Sequence, residues 1–305
     1  GSQSTVVRAG AGMFFDRVPL NVYAFSRYPS EVITTYDGKG NITDGPRTFY
    51  NVTEEAIETH TAFIKGRKAI GNFAPYTATW SVEVEHPITS RWKVRANFQR
   101  SNSEGLIVIN QALVSGNNAL VMNGVGQSRY QQFELVSRVK WGENQNLFLS
   151  YVHASTTGDL NLFGNFLGSF PSPVIRPNVP TNLPGDLPHR FLGWGVVKLP
   201  LQVTWMPMME WRSGFPYYKL DASQNYVGTP NSDATRYPHF FSFDSRIRRD
   251  FKLNNKYSLR VSVSGFNLTN HFNPPTVHNN IADPQYGLFF GQNKRRIRLD
   301  FDILF

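Results

Sequence analysis

Apolar and polar residues alternate along most of the chain with a period of two, the period of a β-strand. The clearest example is 294–305, which reads KRRIRLDFDILF. Its apolar positions are Ile297, Leu299, Phe301, Ile303 and Phe305. The positions between them are Arg296, Arg298, Asp300, Asp302 and Leu304. This segment is about as long as a strand that crosses a bilayer, although a soluble sandwich strand can show the same alternation.

The same alternation predicts about twelve strands. They lie near 5–16, 31–36, 42–50, 76–85, 92–99, 132–141, 147–151, 189–199, 201–212, 241–251, 257–264 and 294–305. Polar positions of the later strands include Glu210, Arg212, Asp244, Arg246, Arg248 and Arg260. Strand 189–199 is the least regular, because Leu192 and Trp194 are out of phase with its other apolar residues. Segment 53–65 reads as a short helix or as a polar loop.

The connections between these strands alternate between short and long. The short ones lie near 37–41, 87–90, 142–145, 199–200 and 252–255. The long ones lie near 17–30, 51–75, 102–127, 157–187, 214–236 and 271–292. Outer-membrane barrels have short periplasmic turns on one rim and long extracellular loops on the other. The sequence therefore predicts an all-β fold, a portion of an antiparallel transmembrane β-barrel, with both chain ends on the periplasmic rim.

A barrel wall implies that its polar face lines a lumen and its apolar face meets lipid. The predicted lumen residues are Glu210, Arg212, Asp244, Arg246, Arg248, Arg260, Arg296, Arg298 and Asp300. Tryptophans near the strand ends fit an aromatic girdle at the membrane surfaces, or alternatively a packed core. These are Trp80, Trp92, Trp141, Trp205 and Trp211.

The composition narrows the function classes. Aromatic residues make up 14% and charged residues 17% of the 305 residues, with 24 Gly and 19 Pro, as expected of strands and turns. With no Cys, the chain has neither disulfides nor thiolate metal sites. No apolar run reaches the length of a transmembrane helix. The net charge of +9 is spread singly, with no basic run longer than 294–296, so nucleic acid is not a predicted partner.

Three segments near the end carry a family resemblance. They are FDSRIRRDFKL (243–253), KYSLRVSVSGFNLTNHFNP (256–274) and the last strand. Together they resemble the end of a TonB-dependent outer-membrane transporter. Segments 8–17, 72–88 and 278–291 resemble more narrowly the Oar-like branch, which carries a carboxypeptidase-regulatory-like domain.

The resemblance implies a bacterial outer-membrane protein that imports a small or oligomeric ligand, without cofactor. In that family the last strand is the signal for the barrel-assembly machinery, a role that falls here on Ile297, Leu299, Phe301, Ile303 and Phe305. The family barrel has 22 strands around a plug domain that contacts the TonB complex. Residues 1–305 show about twelve strands, no plug and no TonB box. We therefore expect them to be the C-terminal part of such a barrel, with the plug and N-terminal domains absent.

Two loops hold candidate ligand contacts. Tyr217, Tyr218 and Tyr226 in loop 214–236 could stack on a sugar or peptide, or order the loop by packing on one another. In loop 271–292 a second group could coordinate a cation or a polar ligand, or form Asx turns. That group is His278, Asn279, Asn280 and Asp283.

The residues offer little for catalysis, and no metal site is predicted. No hydrolase or metalloprotease motif occurs, and Ser155 with His153 is the sole pair whose parity suits a barrel enzyme. An enzyme is therefore not expected. Four alternatives remain: part of a TonB-dependent transporter, a complete passive twelve-stranded pore or adhesin, a barrel enzyme, and a soluble carbohydrate-binding protein.

Overall fold

The computed structural model describes residues 4–37, 39–53, 73–164, 180–222, 227 and 235–305. The long strands are β1 (Val6–Phe15), β2 (Glu31–Tyr36), β3 (Ile42–Thr53), β4 (Tyr76–Pro87), β5 (Trp92–Val114), β6 (Asn117–Lys140), β7 (Asn146–Gly158), β9 (His189–Leu199), β10 (Val203–Arg212), β13 (Phe240–Lys252), β14 (Ser258–Phe266) and β17 (Arg296–Leu304). Two-residue strands are β8 (Thr181–Asn182), β11 (Pro216–Tyr217), β12 (Thr235–Arg236), β15 (Thr276–Val277) and β16 (Phe289–Phe290). Helix α1 (Leu20–Ala24) leads into a 3₁₀ turn, Phe25–Arg27, and a second 3₁₀ turn spans Pro200–Gln202.

Two sequence predictions fall outside this range. Residues 54–65, the bulk of the segment interpreted as a short helix or polar loop, are not among the described residues, and neither is Tyr226. Within the described part, no helix is long and apolar enough to cross a membrane.

Ten strands form one continuous antiparallel wall. Their order is β1-β4-β5-β6-β7-β9-β10-β13-β14-β17, so the wall strands follow one another in chain order. Among the described residues, no further strand pairs with the outer edge of β1 or of β17. The N-terminal end of β1 and the C-terminal end of β17 both lie at the short-turn rim, where Val6 faces Glu85 and Leu304 faces Ser258. The predicted all-β antiparallel barrel portion is confirmed as the fold class.

The register gives the wall one apolar and one polar face. Residues directly opposite in an antiparallel pair lie on the same face. The apolar face runs from Leu299 to Val263, then to Ile247, Trp205 and Val197, across five strands. Leu299 is 54% exposed and Val263 45% exposed, so this face is not covered by another part of the described chain.

The nine residues predicted to line a lumen all share the opposite, polar face. Direct register pairs along this face include Arg248 with Ser262 and Ser262 with Asp300. Ion pairs satisfy several of its charges. Arg260 donates to both oxygens of Asp250 at 2.8 and 2.9 Å. That the nine residues face a closed lumen stays a prediction.

One arginine links three strands of the polar face. Arg95 on β5 lies 3.4 Å from Glu83 on β4 and 2.9 Å from Glu134 on β6. Arg8 on β1 lies 2.7 Å from the same Glu83. The polar face is thus tied together by charge across β1, β4, β5 and β6.

We expect Arg95→Met to destabilise the wall, because two partly buried carboxylates lose their shared cation. Arg95 is 27% exposed, so solvent screening lowers the loss below that of a buried pair, to about 1–2 kcal/mol. The matched control is Lys93→Met on the same strand and face, since its contact with Glu85 is longer, 3.6 Å, and its side chain is 58% exposed. Urea unfolding in lipid vesicles measures both, and equal losses would contradict the bridging role.

The structure corrects the place of one hairpin and the extent of one loop. The hairpin of β2 and β3 was predicted to belong to the wall, but it pairs beside the path of the ten wall strands, with β3 parallel to β6. Segment 102–127, predicted to be a long loop, is instead the far half of the β5–β6 hairpin, which turns at Ser115 and Gly116. Both errors have one cause, a buried apolar cluster beyond the long-loop end of the wall. The cluster is Val22, Phe25, Phe49, Phe73, Ile107, Ile109, Leu120, Met122 and Phe163.

The tryptophans predicted to form a girdle lie mostly on the apolar face. Trp80, Trp92, Trp205 and Trp211 lie on the apolar face, in register with apolar neighbours such as Ile247 and Phe241, while Trp141 follows the end of β6.

The irregular strand 189–199 also has a physical explanation. Trp194 lies on the polar face, where its ring stacks on Phe148 at 5.5 Å. Leu192 lies on the same face, opposite Ser150 and Glu210. Both residues therefore add apolar surface to the polar face.

Candidate ligand-binding rim

Backbone hydrogen bonds join the two loops that carry the candidate ligand residues. Leu220 donates from its N–H to the carbonyl of Asn279 at 2.9 Å, and Ile281 donates to the carbonyl of Leu220 at 2.8 Å. Strands β11 and β12 pair within the first loop, and β15 and β16 within the second. We call this joined surface, formed by 213–222, 235–239 and 271–293, the rim.

Three half-buried aromatic rings meet at the centre of the rim. The Tyr217 ring lies 5.5 Å from that of Tyr237 and 5.8 Å from that of Phe289, and the last two are 5.4 Å apart. Burial, together with Tyr217, raises the pKa of Tyr237. Its hydroxyl therefore stays protonated to a higher pH than that of an ordinary tyrosine and can donate a hydrogen bond. The sequence pointed to Tyr217 but not to Tyr237 or Phe289, because it does not reveal which loops meet.

Tyr218 and Asn279 support the rim from beneath. Tyr218 is buried, and its carbonyl accepts a hydrogen bond from the Asn279 side-chain amide at 3.0 Å. Burial raises the pKa of Tyr218, and the Thr181 side chain partly offsets that effect. The geometry gives these two residues a positioning role, while the rings of Tyr217, Tyr237 and Phe289 form the surface of the rim.

An ion pair with a buried carboxylate fixes the rim to the wall. Asp186 is 2% exposed and accepts from the Thr156 N–H at 2.6 Å and from Arg236 at 2.5 Å. Arg236 also donates to the carbonyl of Gly214 at 3.1 Å. This pair joins β7, β12 and the start of the Tyr217 loop. Sequence reasoning did not identify it, because Asp186 stands alone in a proline-rich stretch.

The polar residues of the second loop shape its turns. His278 Nδ1 lies 2.7 Å from Asp283 Oδ2, and the His278 ring lies 4.4 Å from that of Phe290. Asp283 Oδ1 accepts from the Gln285 N–H at 2.8 Å, and Asn280 Oδ1 accepts from the Ala282 N–H at 2.9 Å. Both bonds are Asx turns, one of the two interpretations offered by the sequence.

We predict that acid loosens this loop through Asp283. The N–H of Gln285 and the side chain of His278 hold the pKa of Asp283 below its ordinary value. A depressed carboxyl pKa contributes stability that is present above the unfolded value of about 3.9 and is lost as pH falls through the folded pKa. Protease cleavage within 271–292 should therefore accelerate in that acidic window.

Two variants test the assignment. Asp283→Asn should make the cleavage rate independent of pH there. Asp37 is a matched control in a different loop. Its pKa is also lowered by hydrogen bonds, of which the one from the Asn41 side chain has the largest effect. Asp37→Asn should leave cleavage of 271–292 unchanged, and an identical pH response in Asp283→Asn would contradict the prediction.

The possible catalytic pair gains no support from the geometry. His153 Nδ1 is hydrogen-bonded at 2.9 Å to the backbone carbonyl of Pro188, and its ring packs on His189 at 4.8 Å. Ser155 lies two residues along the same face, opposite Gln131. Among the described residues no group of three His, Asp or Glu side chains could hold a metal ion.

Known proteins provide an independent comparison. A search of curated proteins found no match. Among solved structures, the chain is similar to the outer membrane transporter YddB from Escherichia coli, with a TM-score of 0.56, 12% identity, 99% of this chain covered and 38% of that one. It is also similar to the ferric-catecholate import receptor Fiu from E. coli K12, with a TM-score of 0.49, 14% identity, 81% of this chain covered and 30% of that one. The chain thus spans well under half the length of either.

The family assignment rests on the sequence as well as on the fold. The family model described as "Outer membrane beta barrel domain" matches residues 2–203, about two thirds of the chain. The exposed apolar face and the polar, ion-paired face are what such a wall requires. The chain belongs to the outer membrane beta barrel domain family and is a protein of the bacterial outer membrane.

Proposed function

We propose that this chain is part of a TonB-dependent outer-membrane transporter, of the Oar-like branch, and that it imports an unidentified small or oligomeric ligand. The chain would supply barrel wall, lumen surface and extracellular loops, and it would carry out no bond chemistry. Its family is one of membrane barrels and not of enzymes. The plug domain, through which the TonB complex would act, would belong to another part of the protein.

The observation that carries this proposal is the open wall. Ten antiparallel strands leave the outer edges of β1 and β17 unpaired among the described residues. Open edges of this length are aggregation sites unless further strands cover them. The fold of YddB, an outer membrane transporter, matches 99% of this chain with 38% of its own length. A larger barrel that contains this wall would explain both the unpaired edges and the match to only part of the YddB fold.

An apolar patch on the polar face supports a filled lumen. Trp194, Met206 and Met208 line a cavity of about 480 Å³. Its flanks carry Asp244 and Arg246, so charged groups surround an apolar floor. Water-filled channels are lined by polar residues, and large transporter barrels are plugged. A domain packed inside the barrel would cover this floor.

The rim supports ligand capture at the cell surface. It lies at the long-loop end of the wall, the extracellular end in such barrels. Tyr217, Tyr237 and His278 present half-buried rings there. Rings of this kind can stack on a sugar or a peptide while their polar groups fix orientation.

We also propose that the last strand is the assembly signal. The apolar face of β17 and the terminal Phe305, which is 94% exposed, would be presented to the barrel-assembly machinery. The remaining partner would be lipid along the same apolar face.

The native polypeptide tests the proposal. An antibody against 271–292 is used to blot the outer-membrane fraction of the source bacterium. A band at roughly two to three times the 34.7 kDa of this chain is expected for a plugged 22-stranded transporter. A band at this chain's own mass, with steady single-channel conductance from the purified protein, would overturn the proposal in favour of a passive closed pore or adhesin.

A further inference from the structure

Two arginines near the long-loop end of the wall lie on the wrong face for a lumen. Arg100 on β5 is opposite Trp80 and Gln131, and Arg129 on β6 is opposite Asn102. Trp80 is exposed on the apolar, lipid-facing surface, so the register places both arginines on that surface as well. An arginine facing hydrocarbon near the bilayer midplane costs several kcal/mol, roughly 2–4, and much less at the membrane interface.

Their height along the wall places them at the extracellular interface. The row below, toward the short turns, is apolar and pairs Val82 with Phe98 and Phe98 with Phe133. Arg100 lies in the next row and Arg129 in the row after it, and above them β5 and β6 continue as the far half of their hairpin. Arg100 and Arg129 are therefore at the level of the lipid headgroups, with lipid chains against Phe98 and Phe133 beneath them.

Neither guanidinium is neutralised by the described part of the chain. Arg100 donates to the side-chain carbonyl of Asn102 in a long bond of 3.4 Å, and no described carboxylate lies within salt-bridge distance of either arginine. The nearest carboxylate along β5, Glu104, accepts a hydrogen bond from the Tyr76 hydroxyl at 2.5 Å. Two adjacent cations at a membrane surface thus lack an anion.

Between them lies a polar cavity of about 180 Å³. Besides Arg100 and Arg129 it is lined by Gln131, Ser155 and Thr157, and by Tyr130. Ser155 is opposite Gln131 and Thr157 is opposite Arg129, so an amide and two hydroxyls complete the ring of donors around the two cations. This donor set suits a tetrahedral oxyanion, for which guanidinium groups provide paired charge-assisted hydrogen bonds.

We propose that this cavity binds the phosphorylated headgroup of a lipid in the outer leaflet. A phosphate would accept from both arginines and from the hydroxyls, while the acyl chains pack on the apolar row below. Continuity with that apolar surface favours a lipid over free phosphate. Of the earlier conclusions, the proposal uses only the outer-membrane location of the wall. It stands whether or not the protein transports a ligand.

The test measures lipid that remains bound to the full-length protein. The protein is extracted from outer membranes in mild detergent and analysed by native mass spectrometry. We expect a phosphorylated lipid to be retained, and retention to fall about tenfold for each of Arg100→Gln and Arg129→Gln. The matched control is Arg138→Gln, on the same strand β6 but on the polar face, and it should leave retention unchanged.

Two further arms identify the bound group. Re-addition of the lipid with its phosphates removed should give no binding, and inorganic phosphate alone should not displace the lipid. The variants Arg100→Lys and Arg129→Lys keep the charge and should retain part of the binding, while heat-modifiable migration on gels checks that each variant is folded. Unchanged retention in folded Arg→Gln variants, or displacement of the lipid by inorganic phosphate, would overturn the proposal.

Discussion

Leu299→Arg is expected to reduce assembly of the protein in the outer membrane more than any other single change considered. Leu299 lies on the apolar face of β17, opposite Val263. An arginine there would face hydrocarbon and cost about 2–4 kcal/mol near the midplane. The cost also falls on the strand proposed as the assembly signal, so both the folded state and its formation are affected. Urea titration of the full-length protein refolded in lipid vesicles measures the first, and the inserted fraction in cells measures the second.

The adjacent residue provides the control. Arg298 shares the strand but lies on the polar face, opposite Ser264, where its guanidinium is 3.1 Å from Asp300. Its side chain is 61% exposed, so Arg298→Leu should cost no more than about 1 kcal/mol. Normal assembly of Leu299→Arg, or equal defects in the two variants, would show that the faces of the wall are assigned the wrong way round.

The faces of the wall were predictable because their cause is local. A strand between lipid and a polar surface must alternate, and β17 displays that alternation in its own residues. Arg246 and Asp300 were assigned to the polar face from parity alone, and the register agrees. Trp194 appeared irregular in the sequence because its partner lies on another strand. It shares a cavity with Met206 of β10.

The elements outside the wall were mispredicted because their cause is not local. Ile107 and Leu120 extend the β5–β6 hairpin because Phe25 and Phe49 cover them, and those partners lie far away in sequence. From the sequence, the same stretch reads as an Asn/Gly-rich loop. Strand pairing depends on which side chains bury one another, so tertiary packing decided the outcome.

The rim was predictable only in part, for the same reason. Turn chemistry is local, and the Asx turns at Asn280 and Asp283 were among the sequence interpretations. The aromatic group of Tyr217, Tyr237 and Phe289 requires two loops to meet, and no pattern within either loop encodes that contact. Candidate ligand residues on long loops are therefore best selected after the loops have been placed.

A single methyl group should disorder this rim. A Cβ added at Gly214 would overlap the backbone carbonyl of Tyr237, so backbone atoms, rather than a flexible side-chain end, have to move. Overpacking of this kind costs up to about 3 kcal/mol. The N–H of Tyr237 donates to the carbonyl of Phe215 at 2.9 Å. In Gly214→Ala we expect its hydrogen exchange to accelerate about a hundredfold, with wall amides unaffected.

Gly185 is the matched control, because an added Cβ there meets no atom within 4 Å. Gly185→Ala adds the same methyl group next to Asp186, which anchors Arg236 and through it the carbonyl of Gly214. In Gly185→Ala, hydrogen exchange at the Tyr237 amide should match that of the unmodified protein. Equal acceleration in both variants would mean that the loop is loosened by any added side chain. Unchanged exchange in Gly214→Ala would mean that the close approach of Gly214 to Tyr237 does not hold the rim together. The expected contrast ties the placement of Tyr217 and Tyr237, and with it the proposed ligand surface, to one backbone contact.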